Sequence, residues 1–97
     1  MEIGNTIRSI REELGYSRKA LAEQIGITQG ALWKVEFGKT NAKPQTIDRF
    51  LQVSGVSRAE FYIRALGYGD IPVEIYQDMQ DIKALAVNKL YRHRRNG

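Results

Sequence analysis

The chain has no cysteine, one histidine, two prolines and no apolar run approaching the ~18 residues that a membrane span needs. Each shortage excludes something. Without cysteine there is neither a disulfide framework nor a thiolate metal site, and His93 stands in a charged tail without companion ligands, so no metal is expected. The apolar segment behind a basic N-terminus that marks a secretory leader is missing too, and the expectation is a soluble, cytoplasmic protein. Sustained apolar–polar alternation and Asn-Gly or Asp-Gly hairpin turns are absent, which removes the main signals for β-structure. Catalytic patterns are also lacking: there is no carboxylate pair suited to a polar cleft, no nucleophile–base pair, and "GYGD" at 67–70 is too short and lacks the strand context of a phosphate loop. The chain reads as a non-enzyme without a cofactor.

What is present suits one small helical unit. Ninety-seven residues, 42% hydrophobic and 27% charged, can build a single modest core, which gains from close helix packing or from a partner chain. The net charge of +4 is compatible with an anionic partner. Through Leu66 there are ten Lys/Arg against seven Asp/Glu, and beyond it five against four, so the excess is spread and only folding can concentrate it.

Apolar residues recur at spacings of three and four, which predicts an all-α fold. A first helix is expected from about Asn5 to Glu13, with Ile3, Ile7, Ile10 and Leu14 on one face and Gly15 as its stop. Ser17 is a natural N-cap for a second, Arg18 to Gln24, ended by Gly26. Thr28 caps a third, Gln29 to about Phe37, with Leu32 and Val35 inward. Pro44 suits the first turn of a fourth through about Val53, burying Ile47, Phe50 and Leu51. Ser57 and Glu60 have capping-box spacing and open a fifth, with Phe61, Ile63 and Leu66 as its apolar positions. After the breaker-rich "GYGDIPVE", a sixth amphipathic helix is expected from Pro72 to about Arg92. The division is 1–66 for a compact five-helix unit and 67–97 for a linker, a C-terminal helix and a basic tail.

Two helices joined by a tight glycine turn form a helix-turn-helix, in which the second helix enters the DNA major groove. The residues "IRSIREELGYS", "LAEQIGIT", "LWKVEFGK" and "TIDRFLQVSGVS" make the segment from Ile7 to about Tyr62 resemble the Cro/C1-type, or XRE-family, helix-turn-helix domain of phage repressors and bacterial regulators. The implied fold is the five-helix lambda-repressor-like domain. The resemblance also implies a partly buried ion pair between Arg11 and Glu36 that ties the first helix to the recognition helix.

The DNA-facing positions follow from what the core leaves outside, namely Gln29, Gly30, Trp33, Lys34 and Phe37. By resemblance, Thr28, Gln29, Gly30 and Lys34 match groove-facing positions, with Trp33 beside them. Glutamine pairs bidentately with adenine and lysine donates to guanine, which makes Gln29 and Lys34 the main candidate base readers. Gly30 offers close backbone approach or, on the plainer reading, room for helix packing. Trp33 either touches a thymine methyl or sugar or lies across the first helix as extra core. The family's phosphate contacts map to Arg18 and to the loop residues Lys39, Thr40, Asn41 and Lys43.

One such module covers one half-site, so a homodimer is expected on an inverted repeat in double-stranded DNA. The candidate dimer stripe is Ile75, Met79, Ile82, Ala86 and Leu90, which alternatively covers the chain's own core. Its helix begins acidic (Asp70, Glu74, Asp78, Asp81) and ends basic (Lys83, Lys89, Arg92), an order that suits the helix dipole and also an antiparallel partner. The leading function is a repressor; the alternative is an antitoxin-type interaction module that binds a toxin and autoregulates its operon.

Overall fold

The computed structural model describes residues 1–85, and Ala86, Leu90 and the basic tail lie outside the described residues. Five α-helices follow in order: α1 (Ile3–Glu13), α2 (Arg18–Ile25), α3 (Gln29–Glu36), α4 (Pro44–Ser54) and α5 (Arg58–Ala65). Two 3-10 turns, Tyr68–Asp70 and Val73–Ile75, lead into a sixth helix, α6, helical over 76–85. No strand occurs among the described residues, and no helix among them is long and apolar enough to cross a membrane.

Local chemistry sets most of the boundaries. The hydroxyls of Ser17, Thr28 and Ser57 accept from the backbone N–H groups of Ala20, Ala31 and Glu60 at 3.0, 3.0 and 3.1 Å, satisfying one otherwise orphaned donor at each N-terminus. Pro44 opens α4, where its missing N–H costs nothing. The helices close around Ile7, Ile10, Leu21, Ile25, Leu32, Phe50 and Phe61, all essentially fully buried. Each such side chain contributes about 1.5–3 kcal/mol relative to exposure. Helix α3 packs on α1 and α2, α5 on α1, and α4 on α2 and α1, so the third helix is supported from behind by two others.

Several boundaries differ from the sequence reading. Helix α1 begins at Ile3, two residues before Asn5, because Glu2 anchors the first turn: its N–H donates to the Ala65 carbonyl at 2.7 Å, and its own carbonyl accepts from the Thr6 N–H and hydroxyl at 3.0 and 2.7 Å. Helix α3 ends at Glu36 with Phe37 as its C-cap, and α4 runs on to Ser54. In α5 the buried residues are Phe61 and Ala65, whereas Ile63 and Leu66 are half-buried. The expected helix start at Pro72 is instead a 3-10 turn, closed by the Ile75 N–H on the Pro72 carbonyl at 3.1 Å, with α6 regular from 76.

Two polar ties connect distant parts of the chain. Arg64, its side chain only 7% exposed, forks onto Glu13 at 2.6 and 3.0 Å and clamps α5 to the end of α1. The Asp70 carboxylate accepts from the Gly67 N–H at 2.7 Å and lies 2.9 Å from the Met1 amino group; these contacts, the backbone one first, hold its pKa below the ordinary carboxylate value. Lys83 of α6 donates to the Leu66 carbonyl. On the same stretch Val73, Ile75, Ile82 and Leu85 are exposed and Met79 is half-buried.

Candidate nucleic-acid interface

The α2–α3 connection is one turn long because Gly26 occupies the left-handed region, at φ 75° and ψ 31°. A residue with a Cβ meets strain there. The following Ile27 N–H returns to the Ala22 carbonyl at 3.0 Å, closing the end of α2, and Thr28 caps α3 immediately afterwards. Ala22 is 2% exposed, leaving no room for a larger side chain where the two helices meet. This short link fixes α3 against its neighbours and leaves Thr28, Gln29, Gly30, Trp33 and Lys34 on an exposed face.

Behind that face one carboxylate joins three helices. The Glu36 side chain is fully buried; Arg11 Nε and Nη2 donate to its two oxygens at 2.8 and 3.1 Å, and Arg18 Nε donates to Oε1 at 3.1 Å. Arg11 Nη1 also reaches the Tyr16 carbonyl at 3.0 Å, so the turn between α1 and α2 is held by the same guanidinium. Forked, charge-assisted hydrogen bonds of this kind impose orientation as well as attraction. The family resemblance implied the pair of Arg11 with Glu36; the structure adds Arg18 as a second cation on the same carboxylate. Two guanidiniums against one carboxylate leave a local excess of one positive charge where α2 begins.

The two odd residues of α3 have different surroundings. Nothing lies within 4 Å of the position a Cβ would take at Gly30, so helix packing gives no reason for a glycine there. Trp33 is 42% exposed rather than part of the core, and its ring lies 5.0 Å from Phe37 at an interplanar angle of 30°. The exposed Phe37 ring in turn carries the guanidinium of Arg8 at 5.1 Å and that of Arg18 at 5.8 Å, both within cation–π range. The sequence predicts an exposed Phe37 but gives no sign of its contacts with Arg8 and Arg18. No periodicity marks a contact between the middle of α1 and the end of α3.

The loop after α3 is tied back to it. Gly38, at φ 71°, donates to the Val35 carbonyl at 3.1 Å, and the N–H groups of Lys39 and Thr40 reach the Lys34 carbonyl at 2.8 and 3.3 Å. Lys39, Thr40, Asn41 and Lys43 are therefore exposed next to α3 rather than on a free excursion. An open groove separates this loop from the first turns of α1, bordered by Gly4, Arg8, Phe37 and Asn41. Gly4 was another silent position in the sequence: an added Cβ would sit 1.9 Å from the Val35 carbonyl oxygen, so glycine is what lets α1 approach the end of α3. Among the described residues no three His, Asp or Glu side chains are grouped to hold a metal ion.

A family profile described as "Helix-turn-helix domain" matches residues 2–61. The chain is 31% identical over 75 residues to the HTH-type transcriptional regulator PuuR of Escherichia coli (strain K12), and equally to PuuR of Shigella flexneri, covering 77% of this chain and 40% of each relative. It therefore spans about two fifths of the length of the curated relatives it matches. No solved structure gives a significant match. The glycine turn at Gly26, the buried carboxylate under α3 and the matched span of 2–61 lead to one assignment: the chain belongs to the XRE-type family of helix-turn-helix regulators.

Proposed function

We propose that the chain is a sequence-specific double-stranded DNA-binding transcriptional regulator, a dimeric repressor that lays α3 in the major groove at each half of an inverted repeat. The observation that carries this reading is the exposed α3 face of Gln29, Gly30, Trp33 and Lys34, capped by Thr28 and held from behind by Glu36. Base reading requires such rigidity, because a side chain must meet two acceptors or donors at once. Gln29 reads adenine N6 and N7, and Lys34 donates to guanine O6 and N7, each contact worth about 1–3 kcal/mol of discrimination. Trp33 supplies apolar contact to a thymine methyl, and Gly30 lets the backbone come close. Arg18, Lys39, Thr40, Asn41 and Lys43 hold phosphates and set the register without reading sequence.

The dimer is assigned to the stripe of Ile75, Met79 and Ile82, extended by Ala86 and Leu90 outside the described residues. Ile75 is 44% and Ile82 43% exposed, which favours a surface awaiting a second copy over a cover for the chain's own core. Selection of bound sequences from random duplex DNA, with sedimentation of the free protein, tests the whole reading. The expected motif is two-fold symmetric, with half-sites spaced by about one helical turn, roughly 34 Å, and the protein sediments as a dimer. Recovery of no enriched sequence contradicts it. A monomer that copurifies with a second small protein through 73–85 would instead favour the antitoxin alternative.

A further inference from the structure

Arg8 lies outside the DNA contacts proposed above, yet it borders the same groove as Phe37 and Asn41. Its guanidinium stands 5.1 Å from the centre of the Phe37 ring, which also lies 5.8 Å from Arg18 and 5.0 Å from Trp33. We infer that Arg8 is a further phosphate-binding residue for duplex DNA, held at the groove edge by the Phe37 ring, so that Arg8 and Arg18 grip the DNA backbone as a pair. This rests on the DNA-binding reading proposed above and adds to it a contact from α1.

Three features separate Arg8 from an ordinary surface arginine. Its Nε is shielded from solvent and donates no hydrogen bond, while the side chain as a whole is 40% exposed. Among the described residues its ion-pair partner is Glu12, one turn on, at 3.7 Å from Nε with its own side chain 57% exposed. An exposed pair of that length contributes at most about 1 kcal/mol, and a phosphate can readily displace it. Arg11 and Arg18, by contrast, spend their Nε groups on the buried Glu36. Finally, the Phe37 ring carries two guanidiniums within 6 Å of its centre, which brings two cations to one shelf. The planar fork of arginine suits a phosphate oxygen at that shelf. Phe37 is then a positioning residue: it limits the rotamers of Arg8 and carries no charge itself.

The test is the salt dependence of binding by the full chain to a duplex of its selected sequence, comparing wild type with Arg8→Gln, which keeps a polar side chain but removes the charge, and Arg8→Lys, which keeps charge. Neutralising one phosphate contributes about −0.9 to the slope of log K against log[salt]. Arg8→Gln is expected to flatten the slope by about 0.9 and to weaken binding about eightfold near 0.1 M salt, the effect of one counterion, with the selected motif unchanged. Arg8→Lys is expected to retain the wild-type slope. An Arg8→Gln protein with the wild-type slope overturns the inference even if its affinity falls, because a loss without a change of slope is structural. A changed motif overturns it as well. Absence of any duplex binding by the wild type overturns the DNA-binding reading itself, which distinguishes the two failures.

Discussion

Replacing Glu36 by alanine removes the anion that Arg11 and Arg18 share. The carboxylate is fully buried and the Arg11 side chain is 9% exposed, so the substitution leaves a nearly buried guanidinium facing a cavity instead of two oxygens at 2.8 and 3.1 Å. Breaking a buried pair from one side costs about 3–5 kcal/mol, mainly from the uncompensated charge that remains. Arg18 adds less, because its side chain is 25% exposed and water replaces part of what is lost. Set against a total stability of about 5–15 kcal/mol, a loss of 3 kcal/mol is severe. For a domain of this size it lowers Tm on the order of 15 °C. Urea denaturation of wild type, Glu36→Ala, Arg11→Met and the double variant measures it, with an unchanged m-value certifying that the folded and unfolded states remain comparable. The double variant should lose less than the sum of the singles, because removing both charges leaves no buried ion unpaired. A Glu36→Ala protein within 1 kcal/mol of wild type, or strictly additive losses, would refute the view that this carboxylate locks α1, α2 and α3 together.

Gly4→Ala should cost about 1–3 kcal/mol, since the new Cβ would meet the Val35 carbonyl oxygen at 1.9 Å and backbone cannot step aside; a wild-type melting temperature would contradict the close approach. Gly30→Ala should do the opposite to stability, raising it by about 0.4–1 kcal/mol because nothing lies within 4 Å, while weakening DNA binding if the backbone nears the bases. Equal affinity in a titration rules out that close contact. Ile82→Asp, placing a charge at a 43% exposed apolar position, should convert a sedimenting dimer to monomer without loss of helical circular dichroism; a persistent dimer puts the interface elsewhere.

The parts of the fold that the sequence made legible are those with local causes. Ser17, Thr28 and Pro44 open helices within one turn of themselves, and Gly26 ends one, so α2, α3 and the turn between them can be read almost to the residue. Contacts between distant segments left no such trace. The start of α1 depends on Ala65, and the Arg64 fork onto Glu13 spans 51 residues, so neither produces a periodic pattern. Arg18 shows the same limit: its Nε bond to Glu36 joins it to an element 18 residues away, and nothing at the start of α2 announces that bond. Gly4 sat unremarked inside an apolar period, because a glycine demanded by a neighbouring carbonyl looks in sequence like any tolerated small residue. The exposed face of α3 was readable because it is the complement of Leu32 and Val35, while the shelf formed by Arg8, Phe37 and Arg18 emerges only when three helices meet.

The central claim is that the exposed face of α3 reads bases, and it is tested most directly by comparing the motifs selected from random duplex DNA by wild type, Gln29→Ala and Lys34→Ala. Each substitution should relax preference at its own position, one in each half-site, by about 1–3 kcal/mol while the rest of the motif stands. Motifs identical to that of the wild type in both variants would contradict the claim and move recognition off α3.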